Sequence, residues 1–379
     1  MGKRVQGAKS GEMKSNIRTM GSALGPRMVI DGREVDYFCG TSYYTLHGDP
    51  RVIGAACEAT YQYGMGPGTT MASPPLLEVE ARAAEFFETE DAQYIISGYL
   101  GDMLLVQSLS NDCDVVFVDV SSHYSVFDGI RSTGKRIIPF CHLDADNLAR
   151  SLRDNLRPKQ IPLVMSDGVF PVTGAIAPLR EYVNVLAPYD GALLCVDDSH
   201  AVGVIGEKGQ GSLEYCGVQG KNRYLTGTLS KAFGGLGGII PGSRDLMDKI
   251  TRNVRIPVGA SPPSTASAAA SAMGLKILSE HPEMRMQLWS NVAYMRTGLR
   301  ELGINLPDSP IPIVLVTALP GVDLKRVQQD LENEGVLVAH VPPCGYSDAP
   351  NKESLRIAVF STHTQAQINR LLTLLRKLL

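Results

Sequence analysis

Tyr224-Leu-Thr-Gly-Thr-Leu-Ser-Lys-Ala-Phe-Gly-Gly-Leu-Gly-Gly238 sets one lysine, Lys231, between a hydroxyl-bearing segment and a run of glycines. A lysine amine attacks a carbonyl only in its neutral form, which burial or a nearby positive charge favours by lowering the pKa. The glycines at 234, 235, 237 and 238 are expected to let the backbone pass close to a flat ligand. Thr226, Thr228 and Ser230 offer hydroxyls of the kind that hold a phosphate. Together these read as a Schiff-base lysine for pyridoxal 5'-phosphate (PLP). A surface lysine followed by a glycine turn would give the same letters if the segment stood alone.

It does not stand alone. Upstream, Gly191-Ala-Leu-Leu-Cys-Val-Asp-Asp-Ser-His-Ala-Val-Gly203 is an apolar run that ends in two carboxylates and a histidine. An unbroken apolar run marks a strand buried on both faces of a parallel sheet, and such sheets carry their chemistry at the carboxyl ends of their strands. Asp197, the first acid after the run, is placed to pair with a protonated pyridine nitrogen, the state in which the cofactor withdraws electrons. His200, three residues on, is expected to hydrogen-bond the cofactor's ring oxygen or Asp197. Ala92-Gln-Tyr-Ile-Ile96 reads as a strand running into Ser97-Gly98-Tyr99 and a helix, which makes a phosphate cradle from backbone N–H groups and the helix dipole.

The segments V-D-D-S-H-A-V-G-x-x-G and T-G-T-L-S-K-A-x-G-G resemble those of the α-oxoamine synthases, fold type I PLP enzymes, and the likeness runs from about residue 28 to the C-terminus. The resemblance implies an α/β fold with a large PLP-binding domain, a mostly parallel sheet flanked by helices, and a small α/β C-terminal domain. It implies an acyltransferase that joins a small amino acid to the acyl group of an acyl-CoA thioester. The substrate carboxylate leaves as carbon dioxide and an α-amino ketone results. His123, in the motif S-H-x-S-x-x-D-G, aligns with the histidine that stacks on the cofactor ring. Arg356, in Ser-Leu-Arg-Ile, aligns with the arginine that grips the amino acid's carboxylate, a task its bidentate fork suits. A homodimer is implied as well, with Ser261 as a candidate contact to the neighbour's phosphate.

The chain departs from the family pattern at several points. Thr41 and Ser42 stand in place of Asn-Asp before Tyr43, so Thr41 takes the position of an asparagine that assists at the substrate carboxylate. Pro171 replaces a serine beside the cofactor, Ser354 replaces the first arginine of R-x-R, and the loop after Gly68 is short. These changes bear on substrate choice and on the acyl-CoA step rather than on cofactor attachment. Two further readings therefore stand: a PLP enzyme on the same scaffold that uses the Cα carbanion as a racemase, aldolase or other C–C bond former, and a non-catalytic partner subunit. Retention of Lys231, Asp197 and His123 argues against the second, which has no chemical need of an imine-forming lysine.

At 379 residues, 44% hydrophobic and 20% charged, the composition is that of a soluble globular protein. A net charge of -3 gives no general drive toward nucleic acid or anionic membranes. No stretch reaches the ~20 apolar residues of a membrane span. Lys3, Arg4, Lys9, Lys14 and Arg18 make the N-terminal segment basic, but no apolar run follows, so it reads as a mobile or partner-clasping arm rather than a secretory signal. The seven cysteines include no C-x-x-C pair, which argues against a zinc site or disulfide framework and for a cytoplasmic protein. The expected organisation is an arm and small-domain segment over residues 1–50, a PLP-binding domain over 51–260, and a small α/β domain over 261–379. Residues 28–38 read as a hairpin about Asp31-Gly32, and strands at 114–119 and 161–171 alternate with helices. Strands near 311–316, 335–340 and 354–359 and a closing helix follow.

Overall fold

The computed structural model describes residues 17–68, 71–317 and 319–379. Lys3, Arg4, Lys9 and Lys14 of the expected arm, and the two threonines after Gly68, lie outside the described residues. Arg18 is described, and it pairs within its own chain with Asp31 and Glu332, at 2.7 Å each.

Strands β1 (Arg27–Ile30) and β2 (Arg33–Phe38) form the expected antiparallel hairpin. Its two turn residues, Asp31 and Gly32, both have positive φ, which aspartate and glycine tolerate best. Seven strands then make the large sheet: β3 (Asp91–Ile95), β4 (Val115–Asp119), β5 (Arg136–Phe140), β6 (Pro162–Asp167), β7 (Leu193–Asp197), β8 (Arg223–Thr228) and β9 (Gly238–Gly242). Their order is β3-β9-β8-β7-β6-β4-β5, parallel throughout except for β9, which runs antiparallel to both of its neighbours. Every residue of β4, β6 and β7 is buried, as the apolar runs require. Alternate residues feed separate cores: Val164, Leu194 and Val196 pack on one face, and Leu163, Met165 and Cys195 on the other.

The smaller sheet adds β10 (Ile313–Thr317), β11 (Val336–Val341) and β12 (Ser354–Ala358) to the hairpin in the order β1-β2-β11-β12-β10. The helix Thr265–Glu280 packs against the helices Pro50–Tyr63 and Pro74–Phe87. For function, the register matters most. Asp167 at the end of β6 pairs with Asp197 at the end of β7, and Asp197 pairs with Thr226 of β8. Adjoining strand ends therefore deliver both acids and the approach to Lys231 to one edge, with His123 just beyond β4.

Candidate active site

A cavity of about 560 Å³ opens at this edge, and its lining includes Thr41, Ser97, Gly98, Tyr99, His123, Asp197, His200, Thr228, Lys231 and Arg356. These ten residues, expected from sequence, thus line one cavity although they span more than three hundred positions of chain, whereas Thr226 and Ser261 do not line it.

Lys231 Nζ lies 2.9 Å from His200 Nε2, and His200 Nδ1 lies 2.8 Å from the Tyr43 hydroxyl. A charged ammonium only donates, so Nε2 accepts and the ring proton on Nδ1 is given to Tyr43. Burial, reinforced by the charge of Lys231, pushes His200 well below its ordinary value, so the ring is neutral. The same burial lowers Lys231 to about 8, against the opposing pull of Asp197 and Asp167. Below that pH the amine is charged and does not attack; above it the lone pair is free. The rate at which cofactor-free protein takes up PLP covalently is therefore expected to rise about tenfold per pH unit below about 8 and to level off above it. Stopped-flow absorbance between about pH 6 and pH 10 measures this, and a rate still climbing tenfold per unit at the top of the range would contradict it.

Asp197, 6% exposed, accepts from the Ser199 amide at 3.0 Å, and Ser125 Oγ lies 3.5 Å from it and 2.8 Å from His123 Nδ1. The alternative bond from His200 to Asp197 is not made, because His200 is occupied by Lys231 and Tyr43. The adjacent acid, Asp198, turns the other way and takes Ser212 N and Oγ at 2.7 and 2.5 Å, which ties down the intervening loop. His123 receives a bond on Nδ1 from the Ser125 amide at 3.3 Å, and its own amide donates to Asp167 at 2.8 Å.

At the far end of the cavity, Ser97 Oγ accepts from Tyr99 N at 3.3 Å, and a short turn, Gly98–Leu100, leads into the helix Gly101–Ser108. Gly98 has no room for a side chain, since a Cβ would lie 2.8 Å from both Cβ and Oγ1 of Thr228. Thr228 Oγ1 in turn lies 2.7 Å from Ser230 Oγ. The Tyr99 hydroxyl is used elsewhere, donating to Asp128 at 2.6 Å, so its part at this end belongs to its backbone.

Two expectations from the central stretch need correction. Thr226 does not face a phosphate; it is buried and its hydroxyl donates to Asp102 at 2.8 Å. The glycines after Lys231 do not make way for a ligand. A Cβ on Gly234 would strike Leu46 at 2.4 Å, and Cβ atoms on Gly235, Gly237 and Gly238 would strike Ser271, Ile95 and Gly98. They let the loop close against its own protein.

The smaller sheet contributes Arg356, 9% exposed, from β12. Its Nε donates to the Pro171 carbonyl at 2.8 Å and Nη1 to the Gly40 carbonyl at 3.2 Å, and no carboxylate pairs with it among the described residues. A buried cation held only by carbonyls suits an incoming anion. Pro171, one of the family departures, thus contributes a carbonyl that aims this arginine.

Sequence reasoning passed over Tyr43, Ser125, Asp102 and Asp167. Asp102 is fully buried, with one oxygen on Thr226 and the other without a partner. Burial and the neighbouring Asp197 push it well above the usual carboxylate range, so it is a neutral acid. Asp102→Asn is therefore expected to change unfolding free energy by less than about 1 kcal/mol, while Asp102→Ala, which strands the Thr226 hydroxyl, costs about 1–3 kcal/mol. Denaturant unfolding of the cofactor-free protein measures both.

A helix N-terminus with hydroxyls for a phosphate, a lysine of lowered pKa, a buried carboxylate and a neutral histidine on one cavity fit PLP and define a fold type I PLP-dependent enzyme. The chain belongs to the aminotransferase class I and II family, whose model matches residues 42–375. It is 31% identical to an 8-amino-7-oxononanoate synthase of Thermosipho melanesiensis over 97% of this chain and 94% of that protein. To 8-amino-7-oxononanoate synthase 1 of Bacillus subtilis it is 32% identical over 98% and 96%. Among solved structures it resembles serine palmitoyltransferase of S. paucimobilis with bound PLP and myriocin, at a TM-score of 0.87 and 26% identity over 95% and 92% of the two chains. These relatives are α-oxoamine synthases, the family that the two cofactor segments resemble. The cofactor is pyridoxal 5'-phosphate.

Proposed function

We propose that this protein condenses an acyl thioester, acyl-CoA in the first instance, with a small amino acid, releasing carbon dioxide and CoA and leaving an α-amino ketone. The observation that carries this reading is the placement of Arg356, a buried cation without a carboxylate partner among the described residues, on the same cavity as Lys231, Asp197 and His123. When bound, PLP supplies an electron sink that stabilises negative charge on the amino acid's Cα. Lys231 would hold the cofactor, and its free amine would take the Cα proton. Asp197 would pair with the ring nitrogen, His123 would cover the ring, His200 would bond the ring oxygen, and Ser97, Gly98, Tyr99 and Thr228 would hold the phosphate. Arg356 grips the substrate carboxylate until it leaves, with Thr41 beside it.

Incubation with glycine, alanine or serine and a panel of acyl-CoAs tests the proposal. Free CoA and carbon dioxide released together support it. Proton exchange or inversion at Cα with neither product removes it in favour of a racemase or aldolase. Arg356→Ala is expected to raise the amino acid's KM about 10- to 100-fold, the worth of a charge-assisted bond, with cofactor absorbance retained. Steady-state kinetics at saturating acyl-CoA reads this.

The proposal includes a homodimer. A second groove, of about 1000 Å³, runs between Met65–Met71 and Ile256–Ser264, with Met65, Met71 and Val258 exposed along it. Apolar surface of this kind supports coverage by a second copy, and Ser261 on its rim is our candidate for the neighbour's phosphate. Among the described residues, no helix is long and apolar enough to cross a membrane. All seven cysteines are free, which supports a cytoplasmic location.

A further inference from the structure

The loop between β11 and β12 crosses the mouth of the cavity and carries Tyr346 and Asp348. Asp348 is only 6% exposed although it stands in a loop. Its carboxylate accepts the amides of Val172 at 3.0 Å and Thr173 at 2.8 Å and the Thr173 hydroxyl at 2.7 Å. No cation pairs with it among the described residues, so these three donors compensate its charge. Two positions earlier, the Tyr346 hydroxyl lies 2.8 Å from His123 Nε2, and its ring meets Tyr124 edge-on at 5.3 Å.

The direction of the Tyr346 bond follows from the other side of the imidazole. The Ser125 amide, 3.3 Å away, only donates, so His123 Nδ1 carries a lone pair, and the Ser125 hydroxyl, 2.8 Å from the same nitrogen, turns its proton to it rather than to Asp197 at 3.5 Å. Burial lowers the His123 pKa, which keeps the ring neutral. The single ring proton therefore sits on Nε2, and the tyrosine oxygen receives it.

We propose that Tyr346 is a positioning residue for His123: held in place through Asp348, it fixes the imidazole as the Nε2–H tautomer and sets the ring's orientation from the solvent side of the cavity. The inference rests on the acyltransferase reading for its consequence in turnover, but its geometry is testable without substrate. Tyr346→Phe keeps the contact with Tyr124 and removes only the acceptor. Asp348→Asn weakens the anchor without touching the cavity.

The test uses PLP-loaded enzyme labelled with ¹⁵N-histidine, with His123 assigned by the resonances lost in His123→Gln. The wild type is expected to show His123 protonated on Nε2. Tyr346→Phe should move both ring nitrogens toward the tautomer average and lower kcat about tenfold, with the amino acid's KM unchanged within about twofold. In Asp348→Asn the amides of Val172 and Thr173 should exchange at least about tenfold faster, and the His123 resonances should shift in the same direction. A wild-type proton on Nδ1, or unmoved His123 resonances in Tyr346→Phe, overturns the proposal. If Tyr346→Phe fails to hold PLP, Asp348→Asn carries the same measurement. Failure of the wild type to release CoA counts instead against the acyltransferase reading and leaves the tautomer result standing.

Discussion

Replacing Lys231 by alanine is expected to lower turnover by about four orders of magnitude, the upper range for a group that both forms the covalent link and moves the proton. Among the described residues no other amine lines the cavity to take over either task. The protein should still fold, because Lys231 Nζ makes one hydrogen bond, to His200, and leaves no salt bridge behind. Borohydride treatment of the wild type with PLP should add the cofactor's mass to the peptide containing Lys231, and the variant should show no such addition. An unmodified wild-type peptide would sink the whole reading, whatever the kinetics.

Asp197→Asn is the second large effect. On the proposed placement the carboxylate would pair with a cationic ring nitrogen in a buried setting, where removing one partner of a charge pair costs about 3–5 kcal/mol. Turnover should fall by about two to four orders of magnitude. The cofactor-free protein should respond in the opposite sense. Burial first, and the charge of Asp197 next, raise the pKa of both Asp102 and Asp167, and these three buried acids crowd around the Lys231 ammonium, whose one charge does not compensate them all. Neutralising one relieves that repulsion, so the thermal midpoint without PLP should be unchanged or higher. A variant that loses stability and turnover together would indicate a structural role for Asp197 instead.

These two residues were legible because each sits in a local pattern with a chemical reason. Asp197 closes an apolar run, and a strand buried on both faces must discharge its polar residue at its end. Lys231 follows a strand by three residues and is framed by glycines. The glycines show how a correct location can rest on an incorrect reason. They permit the loop to lie against Leu46, Ser271, Ile95 and Gly98, and none of them lines the cavity except Gly98 itself. Thr226 was misjudged because it shares a face with Thr228 but sits two residues deeper in the strand, where Gly101 and Asp102 of the helix Gly101–Ser108 cover it. Asp167 closes the buried run of β6 as Asp197 closes β7, and Ser125 lies in the motif that holds His123, so both carried a signal that was passed over, whereas Tyr43 and Asp102 have no local pattern of their own.

Periodicity, apolar runs and strand-end motifs determined, from the sequence alone, the α/β class and the hairpin about Asp31-Gly32, and they singled out Lys231 and Asp197 as the candidate lysine and its partner acid. Only the tertiary structure decided that Arg356 arrives from a second sheet with no carboxylate partner among the described residues, that Asp102 is held neutral, and that Tyr346 reaches His123 across more than two hundred residues. The physical reason is that side-chain periodicity is a short-range property of the backbone. The charge state and hydrogen-bond direction of a buried group depend on neighbours that only the packed chain brings within a few ångströms.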